Sequence, residues 1–229
     1  MLSMHNLQNF LFVVPCAGYG SRMNSHVPKQ YLHYEDKPII YYTLKVLSFF
    51  KFPIVLVVSP DDSYIQNYKH LFSEYVDIQY IGGDTRANSV LHGLNYLSKK
   101  YNNNPWVLVH DGARPLIKIE DIQKLINECT KANQEQGGLI VSKVVDTIKQ
   151  NKSNTVVTID RSNMYLAQTP QMFKLDILFN ALQVYDNVSD EASAIEKMGI
   201  SPLLVEGSRL NIKITMPEDL EWLKFLPII

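Results

Sequence analysis

The sequence lacks the usual signals of a metal cluster, a disulfide framework or a secreted protein. Its 229 residues contain two cysteines, Cys16 and Cys129, and neither belongs to a CxxC motif or a Cys/His cluster. That spacing argues against structural zinc, and so low a cysteine count is typical of a reducing compartment. We therefore expect a cytoplasmic protein whose fold depends on its hydrophobic core and needs no cross-links.

The sequence also lacks a charge excess and a long apolar run. Lysine and arginine number 22 against 23 acidic residues, which gives a net charge of −1. Without a broad basic field, neither nucleic acid nor a membrane surface is an expected partner, and any anion site must be local. The apolar run at residues 10–15 is too short for the core of a signal peptide or for a membrane span.

What the sequence has is an alternation of short apolar runs with longer mixed segments. Several runs are continuously apolar and rich in β-branched residues, as in strands covered on both faces. Helix-like segments lie between them, so we predict an α/β fold with a mostly parallel sheet flanked by helices, in a single domain over residues 1–229. The predicted strands lie at residues 10–15, 54–59, 78–83, 106–111, 138–145, 155–160 and 202–207.

The alternation of strand and helix fails between about residues 144 and 171. Two extended pieces flank the polar stretch KQNKSNTV there, and no helix pattern separates them. This arrangement predicts a β-hairpin arm. Because such an arm often covers a neighbouring chain, it favours a homodimer.

The loop PCAGYGSRMNSHVPKQY, residues 15–31, follows the first predicted strand. Gly18 and Gly20 allow backbone N–H groups to approach phosphate oxygens, Arg22 can fork onto phosphate, and Lys29 supplies a mobile charge. The spacing is not that of a P-loop, and the third glycine of a dinucleotide fingerprint is missing. The alternative is a plain strand-to-helix turn with incidental surface cations.

Two further junctions between strand and helix carry charged side chains. In HDGARP, Asp111 follows a predicted strand, where a carboxylate suits a magnesium ion that also binds substrate phosphates, and Arg114 can reach an anion. In GGDTRANSV, Arg86 lies near a helix N-terminus, which itself favours anions. The alternatives are an Asp-Gly turn in the first case and a capped helix with a solvated Arg86 in the second.

Charged residues near the C-terminal end of the chain have more than one interpretation. Lys213 lies between Ile212 and Ile214, and in a strand it would point away from them, toward either a cleft or solvent. Asp190 and Glu191 open a predicted helix, where we interpret them as complementing the helix dipole rather than as acid–base groups.

Seven segments occur in a distinctive order: PCAGYGSRM…PKQY, GGDTRANSV, VHDGARP, VVDTIK, DR…QTPQ, DEASAIE and NIKITMPEDL. Together they resemble the 2-C-methyl-D-erythritol 4-phosphate cytidylyltransferases of the non-mevalonate route to isoprenoid precursors, and the resemblance extends over about residues 12–223. The resemblance implies a Rossmann-like nucleotidyltransferase fold and a homodimer joined through the hairpin arm. It also implies a Mg²⁺-dependent reaction of CTP with the sugar-alcohol phosphate, which yields the CDP-alcohol and pyrophosphate.

The resemblance assigns four kinds of role to residues of this chain. The reacting phosphates would be stabilised by the cations Arg22, Lys29 and Lys213. CTP would lie against loop backbone and the cytidine-recognition segment, which comprise Cys16, Ala17, Gly18, Gly20, Gly83, Arg86 and Ser89. Mg²⁺ would be bound by Asp111. The acceptor substrate would meet Arg114, Thr147, Arg161 and Thr169. Of these, Arg161 and Thr169 would lie in the partner's site.

The chain departs from the family pattern at three positions. Cys16 and Gly112 stand where the family often has alanine, in Pro-Ala-Ala and HDAARP, and Gly112 would loosen its loop. Leu210 stands where an acidic residue is common, which removes any acidic ligand from that segment.

Three alternative functions remain open at the level of the sequence. A ribitol-5-phosphate cytidylyltransferase would share the loop and the chemistry. A catalytically idle CTP-binding protein would keep the fold alone. A dinucleotide-dependent oxidoreductase is disfavoured by the incomplete glycine fingerprint.

Overall fold

A seven-stranded, mainly parallel β-sheet lies at the centre of the structure, a computed structural model that describes residues 9–18, 27–131, 136–153 and 155–224. The strands in chain order are β1 (Phe10–Pro15), β2 (His33–Tyr34), β3 (Lys37–Pro38), β4 (Ile54–Val57), β5 (Val76–Gln79), β6 (Trp106–Val109), β7 (Gly138–Lys143), β8 (Ile148–Lys152), β9 (Thr155–Ile159), β10 (Tyr165–Lys174) and β11 (Leu203–Glu206). The helices are α1 (Ile39–Ser48), α2 (Ile65–Tyr68), α3 (Arg86–Lys100), α4 (Ile119–Cys129), α5 (Leu175–Val184), α6 (Glu191–Lys197) and α7 (Pro217–Leu223).

The spatial order of the large sheet is β11-β7-β10-β6-β1-β4-β5. Neighbouring strands run parallel except at β10, which pairs antiparallel with both β6 and β7. The predicted α/β fold with a mostly parallel sheet is therefore confirmed. The antiparallel insertion of β10 is a feature that the sequence pattern did not predict.

Helices cover both faces of the sheet, which explains why its strands are continuously apolar. In β1, Phe12 and Val14 pack on the side of α1 and α4, whereas Leu11 and Val13 pack on the side of α3, α5 and α6. Full burial of one such side chain stabilises the fold by about 1.5–3 kcal/mol. The two apolar layers hold the carboxyl ends of the parallel strands in fixed positions.

The starts of α1 and α6 differ in how they are capped. Pro38, which belongs to β3, precedes α1 and makes no side-chain capping hydrogen bond. Asp190 is the N-cap of α6. The Asp190 carboxylate accepts from the Ser193 N–H at 3.0 Å, and the Ser193 hydroxyl accepts from the Asp190 N–H at 3.2 Å. This reciprocal pair satisfies two N–H groups of the first turn.

The predicted hairpin is present as the antiparallel pair β8–β9, which forms a two-stranded sheet of its own. Most of its side chains are exposed. The predicted segment, residues 144–171, extends past the hairpin into the large sheet, because β10 begins at Tyr165. In the part of the chain described by the structure, no helix is long and apolar enough to cross a membrane.

Candidate active site

A cavity of about 320 Å³ opens beyond the carboxyl ends of β1 and β6. This is the edge at which parallel α/β sheets bind ligands. Its wall includes many of the predicted site residues, namely Cys16, Ala17, Gly18, Lys29, Gly83, Arg86, Ser89, Asp111 and Lys213. Gly20 and Arg22 lie outside the described residues, so their contacts with the triphosphate stay predictions.

Asp111, directly beyond β6, is the charged centre of the cavity wall. Its Oδ1 lies 2.8 Å from Arg86 Nε, and its Oδ2 lies 2.8 Å from Lys213 Nζ and 3.6 Å from Arg114 Nε. Burial alone would raise the pKa of Asp111, but the three cations hold that pKa well below its ordinary value. The carboxylate is therefore ionised throughout the physiological range.

Arg86 is the first residue of α3 and joins two carboxylates. Besides Asp111, its guanidinium meets Glu191, with Nη1–Oε1 at 2.7 Å and Nη2–Oε2 at 3.0 Å. The alternative of a solvated Arg86 is therefore wrong. Glu191 is only 1% exposed. It is the first residue of α6, and its carboxylate forms an ion pair with Arg86 that the helix-dipole interpretation did not foresee.

The segment before α3 is held by its own side chains. Thr85 caps the helix, as its hydroxyl accepts from the Asn88 N–H at 3.0 Å. The buried Ser89 hydroxyl accepts from the Gly83 N–H at 3.1 Å and donates to the Thr85 carbonyl at 2.9 Å. Ser89 thus fixes the backbone around Gly83, on which the predicted recognition of cytidine depends.

A second set of hydrogen bonds fixes the backbone at Asp111. The Asp111 N–H donates to Thr169 Oγ1 at 3.1 Å, and Thr169 Oγ1 lies 3.0 Å from His110 Nδ1. Burial lowers the pKa of His110 to about 4, so the ring is neutral at pH 7. We assign the ring proton to Nε2, which lies 3.2 Å from the Arg114 carbonyl, so that Nδ1 accepts from the Thr169 hydroxyl.

Lys29 reaches the cavity from a single turn of 3₁₀ helix, Lys29–Tyr31, that follows Pro28. The turn is anchored on both sides. Gln30 Nε2 donates to the Cys16 carbonyl at 2.9 Å, and the Tyr31 hydroxyl donates to Asp62 Oδ2 at 2.7 Å. These anchors hold the lysine close to the carboxyl end of β1.

Comparison with known proteins identifies the family. A family model described as IspD, 2-C-methyl-D-erythritol 4-phosphate cytidylyltransferase, matches residues 10–226. The chain belongs to this family. A Haemophilus influenzae (strain PittEE) relative named 2-C-methyl-D-erythritol 4-phosphate cytidylyltransferase is 44% identical, with 95% of this chain and 96% of the relative covered.

Solved structures of IspD proteins have the same fold. The Francisella tularensis 2-C-methyl-D-erythritol 4-phosphate cytidylyltransferase is 36% identical and superposes with a TM-score of 0.77 over 95% of this chain and 99% of its own. A structure titled 4-diphosphocytidyl-2C-methyl-D-erythritol synthase is 32% identical, with a TM-score of 0.83 over 95% and 97%. The chain is thus a nucleotidyltransferase of the cytidylyltransferase type, and the matches do not favour the alternative functions.

The acceptor residues expected in an IspD chain do not all reach the cavity. Arg114 and Thr169 lie behind Asp111, where Arg114 Nη1 donates to the Asn211 carbonyl at 2.6 Å. Thr147 and Arg161 flank the hairpin instead, with Arg161 Nη1 3.4 Å from Thr147 Oγ1. Both are exposed, and neither belongs to the described cavity wall.

Lys213 lies outside any strand, contrary to the geometry considered from the sequence. It follows β11 in a loop whose Ile214 N–H donates to the Ala113 carbonyl at 2.9 Å. That bond docks the segment against the loop that carries Asp111. The buried Ile214 side chain then anchors it, and Lys213 faces the cavity.

The departures at Cys16 and Gly112 occupy one space in this IspD chain. A Cβ added at Gly112 would lie 2.7 Å from Cys16 Sγ and 2.8 Å from Ile40 Cδ1. The Gly112 carbonyl also accepts from the Thr43 hydroxyl at 2.9 Å, so the loop is tightly held rather than loose. Burial raises the pKa of the Cys16 thiol, which fits a packing role.

Gly112→Ala should destabilise the protein by about 1–3 kcal/mol, because the added methyl overpacks a filled space. Cys16→Ala should remove part of this cost, so that the double variant is more stable than the sum of the single effects predicts. Midpoints of urea unfolding would measure both. Gly18→Ala is the control, because a Cβ there meets no atom of the described residues within 4 Å. Strictly additive effects would contradict the shared space.

Proposed function

We propose that the protein transfers the cytidylyl group of CTP to 2-C-methyl-D-erythritol 4-phosphate, in the synthesis of isoprenoid precursors. The products are 4-diphosphocytidyl-2-C-methyl-D-erythritol and pyrophosphate. One observation carries the proposal: the wall of a single cavity unites residues 16–18 after β1 with Lys29, Lys213 and Asp111. This combination suits a triphosphate that must be held and cleaved.

The reaction is an in-line displacement at the α-phosphorus of CTP. An oxygen of the acceptor phosphate forms the new P–O bond while the bond to the departing pyrophosphate breaks. Both reactants are anions, so Lys29 and Lys213 reduce their repulsion and stabilise the charge that builds on the leaving group. A phosphate dianion needs no general base, and the nearby His110 is neutral and hydrogen-bonded on both ring nitrogens.

Asp111 is the residue that would hold Mg²⁺. Its ionised carboxylate lines the cavity, and Mg²⁺ in phosphate sites usually takes one or two carboxylates together with substrate oxygens. Among the described residues, no group of three His, Cys, Asp or Glu side chains could hold a metal by itself, so the triphosphate would complete the site. The bound ion would supply positive charge beside the reacting phosphates. Lys213, 30% exposed, is the partner of Asp111 that a phosphate would draw away.

A homodimer joined through the hairpin arm completes the proposal. Val156 on β9 is 65% exposed and Leu166 on β10 is 58% exposed, so both offer apolar surface to a second copy. Arg161 lies at the base of the same hairpin, beside Thr147, and would enter the partner's cavity. Thr169, also expected in the partner's site, instead accepts from the Asp111 N–H of its own chain. We also place the protein in the cytoplasm, on the cysteine usage of its sequence.

Release of pyrophosphate from CTP, measured with Mg²⁺, tests the function. We expect fast release with 2-C-methyl-D-erythritol 4-phosphate and none with D-ribitol 5-phosphate. Release with ribitol phosphate alone would preserve the chemistry but overturn the substrate. Binding of CTP without release in either case would favour an idle site.

A further inference from the structure

We propose that Glu191 is a positioning residue that takes up the charge of Arg86 and thereby keeps Asp111 able to bind a cation. This inference rests on the proposed function, because the cation is the Mg²⁺ that accompanies CTP. Glu191 lies outside the described cavity wall and takes no part in the displacement itself.

The first observation is that the backbone on both sides of Glu191 is held by hydrogen bonds. The Asp190 side chain caps α6, and Gln171 of β10 forms hydrogen bonds with the same turn. Gln171 Nε2 donates to Asp190 Oδ2 at 2.8 Å, and Gln171 Oε1 accepts from the Ala192 N–H at 2.7 Å. The backbone of Glu191, between these two contacts, is thus tied to the central sheet.

The second observation is how Arg86 divides its hydrogen bonds. Its two terminal nitrogens form a bidentate pair with Glu191, whereas Asp111 receives only Nε. Bidentate pairing is the stronger mode for a guanidinium and a carboxylate. Arg86 is therefore bound chiefly to Glu191, and its hold on Asp111 is a single hydrogen bond.

The third observation is the charge balance around Asp111. Three cations, Arg86, Arg114 and Lys213, contact this one carboxylate. Without a second anion, such a carboxylate would be saturated and would attract a further cation weakly. Burial raises the pKa of Glu191, whereas the charge and the two hydrogen bonds of Arg86 act in the opposite direction and favour the carboxylate. The bidentate contact thus makes Glu191 that second anion, so the effective positive charge facing Asp111 is reduced.

Glu191→Gln removes the charge and keeps the shape of the side chain. Of its contacts with Asp111 and Glu191, Arg86 would then keep only the one with Asp111 as an ion pair. The net positive charge of the cluster would rise. A divalent cation should bind more weakly, while metal-free CTP, an anion, should bind no more weakly than before. General structural damage would instead weaken both.

Titration calorimetry of CTP binding, in EDTA and in saturating Mn²⁺, measures the two effects on one protein. The ratio of the two affinities is the gain that the metal provides. We expect Glu191→Gln to reduce this gain by about fivefold or more, the lower end of typical couplings between ligands. Glu196→Gln, the same change at an exposed position of the same helix, should leave the gain unaltered.

Two results would overturn the inference: an unchanged gain in Glu191→Gln, or an equal loss of CTP affinity in both conditions. Failure of the wild-type protein to bind CTP at all would overturn the proposed function, and this inference with it, before any variant is compared.

A double variant keeps the test decisive if Glu191→Gln fails to fold. Arg86→Gln combined with Glu191→Gln removes both charges of the buried pair and leaves no uncompensated ion. CTP affinity would fall in every condition because Arg86 lines the cavity, but the gain from Mn²⁺ should return to at least the wild-type value. A gain that stays low would contradict the charge-balancing role.

Discussion

Replacing Lys29 by alanine should leave the fold intact and lower turnover by about 10²-fold or more, the usual cost of losing one group that stabilises transition-state charge. Lys29 lines the cavity together with residues 16–18, and its side chain is partly exposed. The 3₁₀ turn that carries it is anchored through Gln30 and Tyr31, whose contacts the substitution does not touch. Steady-state release of pyrophosphate, with circular dichroism as a check of folding, measures the effect.

The matched control for Lys29→Ala is Lys37→Ala. Lys37 lies in β3, is also partly exposed, pairs with Asp36 at 3.3 Å, and does not belong to the described cavity wall. It should retain near-normal turnover, because surface ion pairs contribute little. If the folded Lys29→Ala protein were as active as Lys37→Ala, the role assigned to Lys29 would be wrong.

The fold could be predicted because its strands are buried on both faces. Runs such as FLFVV and WVLV have no polar face, and that pattern is typical of a parallel sheet between helices. β10 could not be predicted in this way, because its buried part contains Gln168, Thr169 and Gln171. Gln171 is buried at no great cost since Asp190 and the Ala192 N–H satisfy its amide. Those partners are distant in sequence, so no local pattern around Gln171 indicates them.

In the candidate site, too, some residues could be predicted from the sequence and others could not. Lys29 and Asp111 could be predicted from short motifs at strand ends, where backbone geometry and charge are local properties. The partner of Arg86 could not, because Glu191 lies 105 residues further along the chain and its motif resembles an ordinary helix start. The shared space of Cys16 and Gly112 is likewise a matter of packing between two loops. Short motifs thus predict charged residues of the cavity wall, whereas their partners, distant in the sequence, are identified only from the structure.

Arg161→Ala should also lower turnover by about 10²-fold. Pairing it with a Lys29→Ala chain in a mixed dimer should restore part of the activity. Arg161 lies at the base of the hairpin, is exposed, and does not belong to the described wall of its own cavity. In a symmetric dimer whose arms exchange, each site combines Lys29 of one chain with Arg161 of the other. One Lys29→Ala chain and one Arg161→Ala chain then form one site with both substitutions and one site with neither.

Co-expression of the two variants with different tags, followed by purification on both tags, isolates this mixed dimer. It should show about half of the wild-type activity, because one of its two sites is intact. Lys152→Ala, which removes another exposed cation of the hairpin, should be active without any partner. If each site drew both residues from one chain, the mixed dimer would be as inactive as its parents. Failure to recover any doubly tagged protein would instead contradict the dimer, because the arm would then have no partner cavity to enter.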